Sequence, residues 1–254
     1  MCLRSPMETG KFFHAEDLEQ LDPLHTPKHI AIIPDGNRRW AKKYFFNLQL
    51  GHQEGADTLM EIVEAAQELK IKVITFYSFS TENWNRPFHE VMMLMTLFTN
   101  YLDQQQKRMV NNGIKLETIG DLTPLPESLK QAITATKEAT KQCDDIRLVL
   151  GFNYGSRDEI CRSFHRLLED YEQKKIQKEE INEAMISRYL DTREWSDPEL
   201  FIRTSGELRL SNFLLWQISY AEIYVAPVLW PEFTPKHLLE AVLDFQNRQR
   251  RWGS

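Results

Sequence analysis

The chain has 254 residues, enough for one large domain with a substantial core, and its 42% apolar and 27% charged residues suit a globular protein in water. A net charge of -6 argues against a general nucleic-acid binder, whose surface would be basic. Cys2, Cys143 and Cys161 form neither a CxxC pair nor a zinc pattern, no run approaches the ~20 apolar residues of a membrane span, and Met1–Lys28 has no core of signal-peptide length. A reducing, cytoplasmic setting is expected.

Residues 1–27 read as an N-terminal arm, flexible or weakly amphipathic around Phe12–Leu18, and residues 28–254 as a single domain. Within the domain, short β-rich runs alternate with longer helical patterns. Strands are expected at His29–Pro34, Val73–Phe79, Ile114–Ile119, Ile146–Phe152, Leu200–Arg203 and Ile223–Ala226. Helices are expected over Gly55–Leu69, Glu90–Asn111, Pro126–Cys143, Arg157–Tyr171 and Pro235–Arg251, with helix, turn and helix across Glu172–Leu190. Repeated β-then-α units with no linker or internal repeat predict an α/β fold, a single open, mostly parallel sheet flanked by helices on both faces.

The most informative stretch is His29–Lys43. An apolar run ends in Pro34-Asp35-Gly36-Asn37 and then in Arg38 and Arg39. A buried parallel strand that empties into a turn and a helix reads this way. The corner gathers a carboxylate suited to Mg²⁺ with N–H and guanidinium groups suited to phosphate. The alternative is a plain strand–turn–helix corner with a solvated basic face. Ligands of open α/β sheets bind beyond the carboxyl ends of the strands. The other strand ends carry Ser80, Glu82, Asn83, Trp84 and Arg86, then Asn153, Tyr154 and Arg157, then Arg203, Ser205, Glu207, Arg209 and Ser211. A merely solvated surface would not repeat arginine, carboxylate and small polar groups at every strand end.

Together these segments resemble the cis-prenyltransferases, the group of undecaprenyl and dehydrodolichyl diphosphate synthases. The resemblance rests on His29–Trp40, Gly51-His52, Phe79–Pro87, Gly120-Asp121, Asn153-Tyr154-Gly155, Ile202–Gln217, Leu229-Trp230-Pro231 and Arg250–Gly253. It is collinear from about Lys28 to the end and leaves the first 27 residues uncovered. It implies an enzyme that condenses isopentenyl diphosphate with an allylic diphosphate such as farnesyl diphosphate, with Mg²⁺, to a Z-polyprenyl diphosphate of the undecaprenyl type, a cell-wall lipid-carrier precursor. It also implies a hydrophobic tunnel in the fold, a homodimer and a peripheral contact with membrane for product release. No nucleic-acid partner is expected. The Asp-Asp-x-x-Asp pair of trans-acting synthases is absent, and Asp144-Asp145 reads as an exposed turn.

By the same resemblance Asp35 is the catalytic acid and a metal ligand, with Glu222 as the second carboxylate for Mg²⁺. Gly36, Asn37, Arg38, Arg39 and Trp40 surround the allylic diphosphate, with His52 nearby. Ser80, Thr81, Glu82, Trp84 and Arg86 lie on a loop that closes over the substrates. Asn83 takes part in proton removal; an amide is a poor base, so it is expected to orient water or phosphate. Arg203, Arg209, Leu210 and Ser211 take the isopentenyl diphosphate.

The chain departs from the family pattern at several places. The family usually has glycine near Phe45 and an arginine at the position of Leu48, and Arg38 is expected to replace part of that lost charge. Leu208 stands where some members carry a metal-binding histidine, and Ser156 replaces the second glycine of Asn-Tyr-Gly-Gly. For the tunnel, Leu94, Leu97 and Phe98 share one helix face, Ser78 and Ala56 leave the upper part open, and Ile146 is the expected floor. Small residues above and larger ones below favour a medium-to-long product. A regulatory relative without its own chemistry is the rival reading, and such relatives typically lose the aspartate loop that is intact here.

Overall fold

The computed structural model describes residues 10–248. Its centre is a six-stranded sheet: β1 His29–Ile33, β2 Val73–Ser80, β3 Ile114–Ile119, β4 Ile146–Tyr154, β5 Leu200–Arg203 and β6 Glu222–Val225. The strand order is β3-β4-β2-β1-β5-β6, and every pairing is parallel. The helices are α1 Ala15–Glu19, α2 Asn37–Lys43, α3 Leu48–Glu68, α4 Phe88–Asn111, α5 Glu127–Ala139, α6 Ser156–Glu172, α7 Glu183–Tyr189 and α8 Pro235–Asn247. Between β1 and its two neighbours the chain changes its direction of travel across the sheet. The crevice outside the ends of β1 and β5 is therefore the topological switch point where open α/β sheets bind ligands.

The two faces of the sheet are covered differently. On one face Ile30, Ile32, Ile74, Phe76, Leu148 and Leu150 meet apolar stripes of α3, α4, α5 and α8. On the other, Ala31, Ile33, Val149 and Phe201 meet Phe213, Leu214 and Ile218 from the segment between β5 and β6, rather than a long helix. Buried β-branched and aromatic residues on both faces are what a central parallel strand requires.

Helix starts follow local chemistry. Asn47 accepts a hydrogen bond from the Leu50 N–H (2.8 Å) and so starts α3 one turn and more before the expected Gly55. Leu48 is the first residue of that helix. Ser156 opens α6 from a fully buried site, and its hydroxyl accepts from the Leu215 N–H (3.0 Å), so the serine in place of glycine ties α6 to the loop beside the site.

The flexible-arm expectation for residues 1–27 is corrected over the described part. Phe13 is only 2% exposed within the main core, and the Phe12 and Phe13 N–H groups donate to the Glu68 carboxylate (3.1 and 3.2 Å). Nearby, buried Glu64 accepts from Lys11, Arg108 and Asn112. Residues 1–9 lie outside the described residues, as do Arg250–Gly253 of the terminal motif.

Candidate active site

The corner after β1 turns on Gly36, whose φ of +118° suits glycine; a Cβ there would come within 2.4 Å of the Ser205 hydroxyl. This turn exposes the Asp35 carboxylate to arginines from two directions. Arg203 at the end of β5 donates to Asp35 Oδ2 (2.8 Å), and Arg39 on the first turn of α2 lies 3.2 Å from Oδ1. The Asp35 carbonyl accepts from the hydroxyls of Thr204 (2.6 Å) and Ser205 (2.7 Å), which locks the two strand ends together. Burial pushes the Asp35 carboxyl up. The hydrogen bond and charge of Arg203, with Arg39, outweigh that and hold it below its ordinary value, so it is ionised at neutral pH.

Arg203 is 3% exposed, donates to Ser211 Oγ (2.8 Å) and to the Arg209 carbonyl, and keeps a buried Nε without a partner. Arg39 also pairs with Glu207 (2.9 Å), and Glu207 with Arg209. Among the described residues, five of the eight non-glycine positions with positive φ sit around this loop and its neighbour: Asn153, Ser205, Ser211, Asn212 and Leu214. Such conformations cost energy and persist where surrounding contacts enforce them.

Behind the loop, the fully buried Glu159 accepts from Tyr154 (2.6 Å) and Gln217 (3.0 Å), and from the Asp191 N–H (2.9 Å). Burial raises its carboxyl above the ordinary value. These bonds fix the polar segment that carries Arg209 and Ser211.

Across the crevice, β2 runs into a 3-10 turn over Thr81–Asn85. Asn83 Oδ1 accepts from the Ser80 N–H (3.2 Å), which pins the amide at the turn. Glu82 accepts from Asn212 (3.0 Å), joining the turn to the β5 loop. Arg86 (3.1 Å) and Arg38 (3.7 Å) converge on Glu90, which is 3% exposed. His52 lies beside them with Nε2 buried and unpartnered. Burial, reinforced by the charges of Arg86 and Arg38, brings its pKa to about 4, so the imidazole is neutral near pH 7.

These groups surround the mouth of one cavity of about 850 Å³. Asp35, Gly36, Asn37, Arg38, Arg39, His52, Ser80, Glu82, Asn83, Arg86, Arg203, Arg209 and Ser211 all line it. Five expected residues do not. Trp40 turns outward and packs on Tyr44 and Phe46 (ring centroids 5.2 and 5.4 Å). Thr81 lies against Gly155, where an added Cβ would meet its hydroxyl at 2.6 Å. Trp84 braces the turn, donating to Asn153 Oδ1 (2.8 Å) and packing edge-on to Phe79. Leu210 packs against the second core. Glu222 begins β6 in register with Leu200 and pairs with Arg248 (3.0 Å), so within one chain it stands at the opposite end of the sheet from Asp35.

Among the described residues no group of three His, Cys, Asp or Glu side chains is arranged to hold a metal ion. Glu207, one of the polar strand-end residues, also lines the cavity, together with Tyr77, Asn212 and Trp230, to which the sequence assigned no role. Glu207 carried a signal, an acid two residues before Arg209. Trp230 is placed by the fold: its indole N–H donates to the Gly55 carbonyl (2.7 Å), closing α3 onto the loop after β6.

Away from the mouth the lining becomes apolar. Ala56 of α3, Leu94, Leu97 and Phe98 of α4, and Ser78 of β2 form the walls as expected, and Leu59 of α3 joins them. The blind end is a correction. Leu150, Phe152, Tyr101 and Leu102 line it, and Phe98 and Phe152 meet edge-on with ring centroids 5.1 Å apart. Ile146 lies on the same face of β4 but is packed in the core behind Leu148 and does not reach the cavity.

Residues 33–253 match the prenyltransferase family model described as "Putative undecaprenyl diphosphate synthase". An isoprenyl transferase of Clostridium tetani is 42% identical over 246 residues, covering 97% of this chain and 96% of its own length. One from Chlamydia caviae is 45% identical over 242 residues, covering 94% and 97%. The crystal structure of lavandulyl diphosphate synthase from Lavandula x intermedia, in complex with dimethylallyl diphosphate, superposes with a TM-score of 0.89 at 34% identity, covering 91% of this chain and 100% of that one.

Proposed function

The chain belongs to the undecaprenyl diphosphate synthase family of prenyltransferases, and from that premise we propose that it condenses isopentenyl diphosphate with an allylic diphosphate, farnesyl diphosphate, to a Z-polyprenyl diphosphate of the undecaprenyl type. The observation that carries this reading is a single cavity with an arginine-rich mouth and an apolar blind end. Its mouth matches diphosphates and its depth matches a growing hydrocarbon chain. Five arginines at the mouth exceed what one phosphate group needs.

The chemistry divides among named groups. Arg38, Arg39 and Arg86 take the allylic diphosphate at the start of α2, while Arg203, Arg209 and Ser211 take isopentenyl diphosphate at the end of β5. Preset guanidinium groups stabilise the charge that develops as the allylic diphosphate leaves. Asp35 fits Mg²⁺ as one ionised carboxylate at a phosphate site, because Mg²⁺ is commonly held by one or two carboxylates together with substrate phosphates. When bound, Mg²⁺ neutralises charge on the departing diphosphate. Asn83, pinned by Ser80, orients the water or phosphate oxygen that accepts the proton lost after the homoallylic double bond attacks.

The proposal includes a homodimer. β6 ends the sheet, and Tyr220 and Ile223 beside it are 79% and 46% exposed. A twofold contact there would cover them and bring Glu222 from the partner subunit's edge towards the metal. The proposal also includes a peripheral contact with membrane through which the lipid product leaves; no helix among the described residues is long and apolar enough to cross a membrane.

The test is product chromatography after the purified chain alone is incubated with farnesyl diphosphate, isopentenyl diphosphate and Mg²⁺, with a chelator control. Polyprenyl diphosphates that vanish with chelator are expected. Absence of any elongated product would favour the non-catalytic regulatory reading.

A further inference from the structure

Phe45 is the most exposed large apolar side chain among the described residues, at 97%. Its backbone is also unfavourable, with φ +58°. The hydrogen bonds explain why. The Phe45 N–H reaches the Lys42 carbonyl (3.3 Å) and the Phe46 N–H the Ala41 carbonyl (2.8 Å), the Schellman arrangement that closes α2. Phe45 occupies the left-handed position of that motif, where glycine carries no Cβ penalty. Lys70 and Lys174 adopt the same conformation after α3 and α6, so positive φ alone marks nothing. The distinction is that a lysine there is solvated, whereas Phe45 places an aromatic ring 97% in water.

The neighbourhood favours one occupant. Tyr44 and Phe46 stack beside Phe45 at 43% and 47% exposure, and Trp40 packs on both. Arg38, Arg39, Lys42 and Lys43 put four cations and no acid on the seven residues of α2, in a chain of net charge -6. Glu90 pairs with Arg38, Asp35 and Glu207 with Arg39, and Glu232 with Lys43, which sits over the Tyr44 ring (4.8 Å), so among the described residues Lys42 is the exposed cation of α2 without an ion pair. Tryptophan, tyrosine and lysine around an apolar tip form the composition of a membrane-interface anchor.

Beside the patch lies a groove that shares walls with the cavity, its rim polar with Gln49, Gln53, Asp57, Asn100 and Gln104. The groove runs between α3 and α4, starts at Gln49, just past Phe46, and faces Met93, next to the 38% exposed Met92. Its inner wall is Ala56, Leu97 and Tyr101, the same side chains that wall the apolar part of the cavity.

We propose that the turn after α2, tipped by Phe45 and Phe46, inserts into the interfacial layer of an anionic phospholipid bilayer and seats the α3–α4 side of the cavity against the membrane. The choice of bilayer over protein rests on the proposed function, which makes an apolar chain that must leave into lipid. Binding itself can be tested without substrate, so failure of the surface and failure of the enzymatic reading are separable.

The experiment is flotation of the full chain with vesicles of phosphatidylcholine alone and with added phosphatidylglycerol, for the parent, Phe45→Gly, Phe46→Ser and Lys42→Glu. The parent should float with anionic vesicles and less with neutral ones. Phe45→Gly should bind about tenfold more weakly, as expected for removing one buried aromatic side chain, yet melt at the same or a higher temperature because the left-handed strain is gone. That opposite movement separates lipid contact from misfolding. Phe46→Ser should also weaken binding, and Lys42→Glu should weaken it only with anionic vesicles. Undiminished flotation of Phe45→Gly, no flotation of the parent, or a loss of self-association in Phe45→Gly without any loss of flotation would each overturn the proposal.

Discussion

At the mouth of the cavity nearly every charge answers another: Arg203 and Arg39 meet Asp35, Glu207 meets Arg39 and Arg209, and Glu90 meets Arg38 and Arg86. At the blind end Phe98, Phe152, Leu150 and Leu102 line the wall with hydrocarbon. The mouth is tuned by compensation, so deleting one partner leaves another charged and desolvated. The blind end is tuned by volume, so deleting a side chain leaves space. A change at the mouth should therefore register in rate and affinity, and a change at the blind end in which product forms.

Asp35→Ala should break the mouth most severely. Losing the carboxylate that faces the departing diphosphate should lower turnover by at least ~10²-fold at saturating Mg²⁺. Buried Arg203 also loses its acid, so the melting temperature should fall while the fold persists through the Ser211 and Arg209 bonds. Steady-state kinetics with circular dichroism would check both. Near-normal turnover would take Asp35 out of the mechanism.

Arg38→Gly should follow. Arg38 lines the mouth and offers a cation on the side where Leu48 starts α3 without charge. If it replaces that lost charge, the Michaelis constant for the allylic diphosphate should rise about tenfold with turnover less affected, the scale of one charge-assisted hydrogen bond. An unchanged constant would leave diphosphate binding to Arg39 and Arg86.

At the other end the readout is product length. Ser78→Leu should fill the upper wall and shorten the distribution. Phe152→Ala should open the blind end, remove the edge-on contact to Phe98 and lengthen it. Ile146→Ala should lengthen it less, because Leu148 and Leu150 stand between that side chain and the cavity. Product chromatography ranks the three variants. If Ile146→Ala lengthened the product most, the cavity would have to deepen when a chain enters.

The sheet and most of its strand-end chemistry were legible because they are local. An apolar run ending in Asp35-Gly36-Asn37 reports both a buried strand and the turn that follows. What the residues did not reveal depends on where distant segments meet. Trp40 is kept out of the cavity because Tyr44 and Phe46 return to pack against it. Glu222 sits at the amino end of β6, a fact set by pairing register. Phe152 rather than Ile146 closes the cavity because α4 brings Phe98 and Tyr101 across at that height. Glycine usual near Phe45 was noted in sequence, and the Schellman bonds supply the physical reason.

The smallest expected effect distinguishes the two ends of the sheet through buried histidines. His29, at the amino end of β1, is fully buried between the Ser196 carbonyl (2.6 Å) and the Thr75 hydroxyl (2.8 Å). Burial brings its pKa to about 4, as burial and neighbouring cations do for His52 at the mouth. Both folded values lie below the unfolded value near 6.5, so the unfolded chain binds more protons between about pH 4 and 6.5. Stability should be level above that window and fall as pH drops through it, by up to ~1.4 kcal/mol per pH unit for each histidine. The depressed carboxyl of Asp35 acts lower, its contribution being lost as pH falls below about 4. Inorganic pyrophosphate bound at the mouth should favour protonated His52 and leave His29 untouched. Melting temperatures at pH 5.0 and 7.5 for the parent and His52→Gln check this. Pyrophosphate should narrow the acid-induced drop in the parent and change it little in the variant. Equal narrowing in both would place the anion away from His52.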